Sequence, residues 1–296
     1  MGAMEVIQGV SASTIALILG VYQEFIHSLR SIDRNAFVLL GSKDFEKFWT
    51  KINGNFLVTL LLGILTGLIL LTQVVSRLFH SQFIIISSFL FGIILISGLL
   101  LLRKVTRWKL RAILFLFLGV AINYAFGSLE PIDTPNGYLP SLLAGFFAGF
   151  SFTFPGVSSA FILILIGKYQ FIVTSFSALN FGTIAIFTIG SLSGLWVASR
   201  FMYRILASYY SITIALLAGL MIGALNKLWP WRYIQEYVTN SKGEQVPAYD
   251  QSILPWHYTT LTGKDPQVFQ AILMMALGVF IVVLIEKIAA GLKTRI

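Results

Sequence analysis

The residues with the greatest capacity for chemistry occur twice. Gln8-Gly9-Val10-Ser11-Ala12-Ser13-Thr14 runs through an apolar stretch to Gly20, Tyr22 and Gln23. Pro155-Gly156-Val157-Ser158-Ser159-Ala160-Phe161 runs through another to Gly167, Tyr169 and Gln170. Eight residues match at a constant offset of 147: Gly2/Gly149, Gly9/Gly156, Val10/Val157, Ser11/Ser158, Ile15/Ile162, Gly20/Gly167, Tyr22/Tyr169 and Gln23/Gln170. A Gly-Val-Ser turn that opens an apolar helix sets backbone N–H groups and hydroxyls inside hydrocarbon. Each group left unsatisfied there costs several kcal/mol. The positive end of a helix dipole, about half an elementary charge, adds to the attraction for an anion. Such turns suit a phosphate or a carboxylate. The candidate ligands are Gly9, Val10, Ser11, Ser13 and Thr14 in the first copy, and Gly156, Val157, Ser158 and Ser159 in the second. The competing explanation is that small residues merely let helices approach closely.

Charged residues near membrane depth are the second signal. Glu5 lies three residues before Gln8, where a carboxyl could carry a coupling proton. Glu24, Lys168, Arg200 and Arg204 flank apolar runs. Arg200 or Arg204 would hold a phosphate in a charge-assisted pair. Their alternative role is to snorkel at span ends. His27, His80 and His257 follow no ligand spacing, so no metal site is expected. The absence of Cys excludes disulfides, thiolate nucleophiles and Cys-ligated metals.

These groups need elements to hold them. The chain is 57% hydrophobic and 11% charged, against about 25% charged in soluble domains. An integral membrane protein follows. The long apolar runs do not alternate, which argues for helices and against a barrel. Spans are expected at 55–76, 83–102, 110–127, 181–200, 208–228 and 267–290. The first motif opens a helix of roughly 17 residues over 11–27, marginal for a full span. The second forms a unit over 139–154 and 157–176, either a re-entrant hairpin or two short spans broken at Pro155-Gly156. The first copy lacks most of that inbound arm, so the chain either starts abruptly or lacks its natural beginning. No cleavable leader is expected at 1–7. The 229–266 connection is the only sizeable extramembrane segment, with Trp229, Trp231, Tyr233, Trp256 and Tyr258 suggesting an interfacial belt.

The repetition extends beyond the motifs. Gly63/Gly190, Gly67/Gly194, Arg77/Arg204 and Gly92/Gly219 match at offset 127, and Leu118-Gly119-Val120 matches Leu277-Gly278-Val279 at offset 159. Both changes of offset fall in loops. Each half, 1–128 and 129–296, is therefore one re-entrant or broken helix unit plus three transmembrane helices. Three spans is odd, so the halves are expected to lie inverted in the membrane. With the basic cluster Arg103 to Arg111 in the cytoplasm, 15 basic residues fall inside and 6 outside. That bias agrees with the inverted repeat. The net charge of +9 is read as an orientation signal and an attraction for anionic lipids, not as a nucleic-acid surface.

The two motifs, their spacing and the length resemble the domain-of-unknown-function 368 family of bacterial membrane proteins. Gly9-Val10-Ser11, Thr14, Gly20 and Tyr22 match its first motif, and Glu5 falls where it carries an acidic residue. Pro155-Gly156-Val157-Ser158, Gly167 and Tyr169 match its second. The chain departs at Gln8 for Pro and at Ala12-Ser13 for Gly-Gly. The resemblance implies a translocase in the bacterial inner membrane that returns undecaprenyl phosphate to the inner leaflet. Its partners would be the polyprenyl-phosphate lipid and membrane lipids. No cofactor is implied beyond a coupling proton or sodium ion. One rival is an undecaprenyl-pyrophosphate phosphatase, whose similar motif continues with Arg-Ser where Ser159-Ala160 stands here. Without that guanidinium, and with Glu5 alone as carboxylate, hydrolysis lacks its acid–base pair. The other rival is a transporter of a small anion.

Overall fold

In the computed structural model the regular elements among the described residues are helices and one two-stranded hairpin. The structure describes residues 1–2, 11–127, 129, 131–132, 134–239 and 245–293. Glu5, Gln8, Gly9 and Val10 lie outside those residues. The elements are α1 (Ala12–Ile18), α2 (Tyr22–Arg30), α3 (Arg34–Gly41), α4 (Phe45–Lys51), α5 (Gly54–Ser81), α6 (Phe83–Arg103) and α7 (Leu110–Gly127). They continue with α8 (Tyr138–Ser151), α9 (Ser159–Leu165), α10 (Tyr169–Ser177), α11 (Phe181–Ser208) and α12 (Tyr210–Ala224). Strands β1 (Arg232–Thr239) and β2 (Gln245–Ser252) precede α13 (Pro255–Thr262) and α14 (Val268–Lys293).

Among the described residues four helices are long and apolar enough to cross a membrane: α6, α7, α11 and α14 as far as Ile288. The number rises to six if the bent pairs α4–α5 and α9–α10 each count as one span. Large apolar side chains such as Ile69, Phe117, Phe181, Phe269 and Phe280 stand exposed on these helices. A surface of that composition belongs against lipid tails. The protein is a multi-pass membrane protein. The expected span at 208–228 is shorter than read, because α12 ends at Ala224 and turns carry the chain on through Leu228.

The helix expected over 11–27 is two helices. Gly20 adopts φ 73°, and Val21 N–H donates to the Ala16 carbonyl at 2.9 Å while Gly20 N–H donates to Leu17 at 3.1 Å. This is the glycine-terminated helix end in which a left-handed residue lets the chain turn back on the last carbonyls. The second copy repeats it. Gly167 has φ 66°, Lys168 N–H donates to Leu163 at 2.8 Å and Gly167 N–H to Ile164 at 2.9 Å. There the chain bends by 112° between α9 and α10. The second unit is therefore broken at Gly167 as well as at Pro155-Gly156.

Other elements also recur at the sequence offsets. Adding 127 to the bounds of α5 gives those of α11, and both helices end at a residue with φ −135° (Gln82 and Tyr209). Glycines set the helix contacts. A Cβ on Gly119 of α7 would strike the Leu216 carbonyl of α12, and one on Gly219 would strike Leu116. Shifted by the offsets, the same pair joins α14 to α6, with Gly278 against Phe89 and Gly92 against Met275. In α11, Gly190 and Gly194 lie on the Leu142 and Phe146 carbonyls of α8, as the Gly-x-x-x-Gly spacing predicts. A Cβ on Gly63 would meet nothing among the described residues.

The 229–266 connection, expected as an extramembrane segment, holds a hairpin and a short helix. Strands β1 and β2 pair antiparallel with Arg232 opposite Ser252. Trp229 and Trp231 anchor this hairpin rather than joining a lipid-facing belt. Their indole N–H groups donate to the Ile253 and Pro266 carbonyls, each at 2.7 Å, and Trp231 is buried with Ile84 and Ala271. Trp256 remains exposed.

Candidate functional site

The first motif enters α1 through Ser11, whose extended backbone and side chain cap the helix. Ser11 Oγ accepts from Ser13 N–H at 3.3 Å and lies 2.7 Å from Ser13 Oγ. Ser11, Ser13 and Thr14 are fully buried. In the second motif Ser158 caps α9, accepting from Phe161 N–H at 3.4 Å, and Ser151 Oγ donates to Ser159 Oγ at 3.4 Å. Val157 is buried beside them.

The two motifs, 142 residues apart at their contact, touch each other. Gly156 N–H donates to Thr14 Oγ1 at 3.1 Å. Tyr22 O–H donates to the Thr153 carbonyl at 2.8 Å. Buried Asn123 of α7 ties this knot to α12, its Nδ2 donating to Gly156 O at 2.8 Å and Leu220 O at 2.5 Å. The Gly156 amide is thus engaged by the partner motif. Thr14→Val would leave that amide buried without an acceptor, at a cost of about 1–3 kcal/mol. The expected result is a lower thermal unfolding midpoint in detergent, with Thr14→Ser close to the parent; equal midpoints would remove the bond from the account.

Arg200 and Arg204 lie elsewhere, on one face of α11 at helical spacing. With Arg30, Ser31, Asp33, Lys51 and Tyr203 they line a cavity of about 350 Å³, and no motif residue lines it. Helix α2 joins the two places. Tyr22 sits at the knot and Arg30 at the cavity, about 12 Å apart along the axis at 1.5 Å per residue. Arg200 is held rigidly. Its Nη2 donates to the Ile32 carbonyl at 2.6 Å, its guanidinium stacks 3.6 Å above the Trp196 ring, and Trp196 Nε1 donates to the same carbonyl at 2.8 Å. Arg30 stacks 3.7 Å above the Tyr203 ring.

Asp33 is the one carboxylate in that lining. Its Oδ1 accepts from Lys51 Nζ at 2.6 Å and from Ala36 N–H at 2.9 Å. The Lys51 hydrogen bond, helped by the Ala36 amide, holds its carboxyl below the usual range. Among the described residues no carboxylate forms an ion pair with Arg30, Arg200 or Arg204. Four formal positive charges therefore face one negative charge in an open cavity, which suits a multiply charged anion.

Sequence reasoning missed Arg30, Lys51 and Tyr203 as partners of Arg200 and Arg204. It also missed Asn123, a buried amide in an apolar span, which was a readable signal. Glu24, singled out as flanking a span, accepts a hydrogen bond from Asn53 Nδ2 at 2.8 Å. Lys168 is buried, donating to the Thr134 and Pro135 carbonyls at 2.6 and 2.7 Å and to Asn136 Oδ1 at 2.9 Å.

Comparison with known proteins bears on what these places hold. Residues 1–246 match a family described as undecaprenyl phosphate translocase-like. A polyprenyl-phosphate transporter of Vibrio cholerae is 35% identical over 289 residues, covering 98% of this chain and 94% of that protein. The chain belongs to the undecaprenyl phosphate translocase-like family. A polyprenyl-phosphate transporter of Staphylococcus aureus is 27% identical over 252 residues, 78% of this chain and 83% of that protein. No solved structure matches the chain at a significant level. Family membership agrees with the resemblance carried by the two motifs, and the names of both relatives describe transporters.

Proposed function

We propose that this protein moves a polyprenyl phosphate, undecaprenyl phosphate in particular, across the bacterial inner membrane for reuse at the inner leaflet. The observation that carries the reading is the cavity of Arg30, Lys51, Arg200 and Arg204 at one end of α2, with the buried motif contact at the other. A polyprenyl phosphate has an anionic head and a long apolar tail. The tail stays in the bilayer beside the exposed apolar faces of the spans. The head group passes through the polar interior, avoiding the cost of a charge in bare hydrocarbon.

The charge bias puts the arginine cavity on the cytoplasmic side. The contacts that recur at offsets of 127 and 159 support an inverted repeat, an architecture suited to exposing one central site to each face in turn. Ser11, Ser13, Thr14, Ser158 and Ser159 line the crossing point. Backbone groups at Gly9, Val10, Gly156 and Val157 become available to the head group as the motif contact opens. Glu5 remains the candidate for coupling to a proton or sodium ion.

Vesicles reconstituted with the protein and a fluorescent polyprenyl phosphate test the reading. The expected result is protein-dependent movement between leaflets without release of inorganic phosphate. Release of phosphate from the diphosphate form would favour the phosphatase, and transport of inorganic phosphate alone would favour the small-anion carrier.

A further inference from the structure

The arginine cavity gives the head group a cationic site on one side of the knot. The other side also carries a cation, placed against expectation for a lysine at a span end. Lys227 follows α12 and falls on the outer side by the charge bias. A lysine there normally extends its stem toward water. This one folds inward. Its Cε lies where a Cβ on Gly127 would be only 3.2 Å away, at the last residue of α7. Its Nζ stands 3.2 Å from the centroid of the Phe161 ring in α9 and 3.5 Å from Asn123 Oδ1. Asn123 is one helical turn deeper in α7 than Gly127.

The orientation of Asn123 gives this cation its meaning. Both strong bonds of that side chain use Nδ2, which donates to Gly156 O and Leu220 O. The carbonyl oxygen is therefore turned toward Lys227. At 3.5 Å that contact is at the limit of a hydrogen bond, and among the described residues Lys227 forms no ion pair. A half-buried lysine nitrogen with an aromatic face and one distant neutral acceptor has donor capacity for an anion. It touches the second motif directly at Phe161, and reaches Gly156 through Asn123. The cation belongs to one half only, since Leu100 holds the corresponding place at offset 127.

We infer that Lys227 is a head-group ligand: it takes the phosphate of the lipid on the outer side of the second motif, before the arginine cavity receives it. The inference rests on the carrier reading above, and it assigns the outer end of that route.

The test compares Lys227→Gln and Lys227→Arg with the parent in vesicles loaded with fluorescent polyprenyl phosphate. Lys227→Gln is expected to raise the lipid concentration for half-maximal rate about tenfold, equivalent to about 1.4 kcal/mol of binding, with a maximal rate within twofold and an unchanged unfolding midpoint. Lys227→Arg should recover most of the loss. An unchanged half-maximal concentration in Lys227→Gln, or a loss that tracks a lowered midpoint in both variants, would overturn the assignment. A second measurement stands apart from transport. Acylation of Lys227 by an amine reagent, read by mass spectrometry, should be slowed by dodecyl phosphate and not by dodecyl maltoside. Protection without lipid movement in the parent would sink the carrier reading and keep the anion ligand. Movement without protection would do the reverse.

Discussion

Arg30→Gln combined with Arg204→Gln is expected to lower the transport rate at limiting lipid at least about 100-fold, taking each hydrogen bond to a charged group at the lower end of about 1.5–3 kcal/mol. These two arginines are better probes than Arg200. Arg200 also braces the Ile32 carbonyl and Trp196, so its loss would loosen the junction of α2 and α11. Arg204 is exposed in the lining, and Arg30 rests on one face of Tyr203. Lysine at both positions should restore the charge but only part of the rate, because an ammonium cannot grip a phosphate in two places. Rising ionic strength should weaken the parent in the same direction, since the cavity is open. Full activity of the double variant at limiting lipid would remove the cavity from the route.

The pH dependence of this site has a definite sign. Asp33 is held in its ionised form by Lys51, so its contribution to stability is present above the ordinary carboxylate pKa. That contribution disappears only as pH falls through the still lower folded value. Near neutral pH the carboxylate is therefore constant, and the titrating partner is the ligand. A phosphate monoester loses its second proton near pH 6. Binding at the cavity should strengthen as pH rises through that value.

The second large effect concerns the frame. Gly219→Val is expected to destabilise the protein by about 3 kcal/mol or more, at the upper end of overpacking costs. The added atoms would strike the Leu116 carbonyl and approach Gly119 Cα at 3.1 Å or less, and the obstacle is main chain that cannot rotate away. Gly92→Val should behave alike, because its obstacle is the Met275 carbonyl in the equivalent seam. Gly41→Ala is the control, with nothing within 4 Å of its added carbon. The measurement is the unfolding midpoint and the monodisperse yield in detergent. Parent-like behaviour of both valine variants would show that the seams open freely.

Most of the helical frame was legible because hydrocarbon imposes a simple rule. A span must be long, apolar and internally bonded, so runs such as 83–102 and 110–127 mark helices to within a residue or so. The offsets were legible too, since glycines at helix crossings leave matched pairs in the sequence. The turns at Gly20 and Gly167 were visible as matched residues but not as breaks. A lone glycine inside an apolar run serves a crossing or a turn equally well, and only φ separates the two. The hairpin at 232–252 was lost for another reason. Its segments are short and its register is irregular between Ile234 and Tyr237, so no clean alternation marks it.

The candidate site divided along the same line. Ser11, Ser13, Thr14, Ser158 and Ser159 could be named because the motif repeats. That Thr14 meets Gly156 depends on how two distant units fold together. Arg30 reaches Arg204 because α2 lies along α11, and Lys227 turns inward because Gly127 leaves room for its stem. Neither relation has a local signature.

The seams have a mechanical consequence. Helix α7 leaves its own half to lie against α12, and α14 returns to lie against α6, each pair locked main chain to main chain. The two halves are clasped like linked hands. Swinging one as a rigid body away from the other would tear both grips at once. On the carrier reading proposed above, gating would then fall to the short pieces, α1 with α2 and α9 with α10, which turn at Gly20 and Gly167.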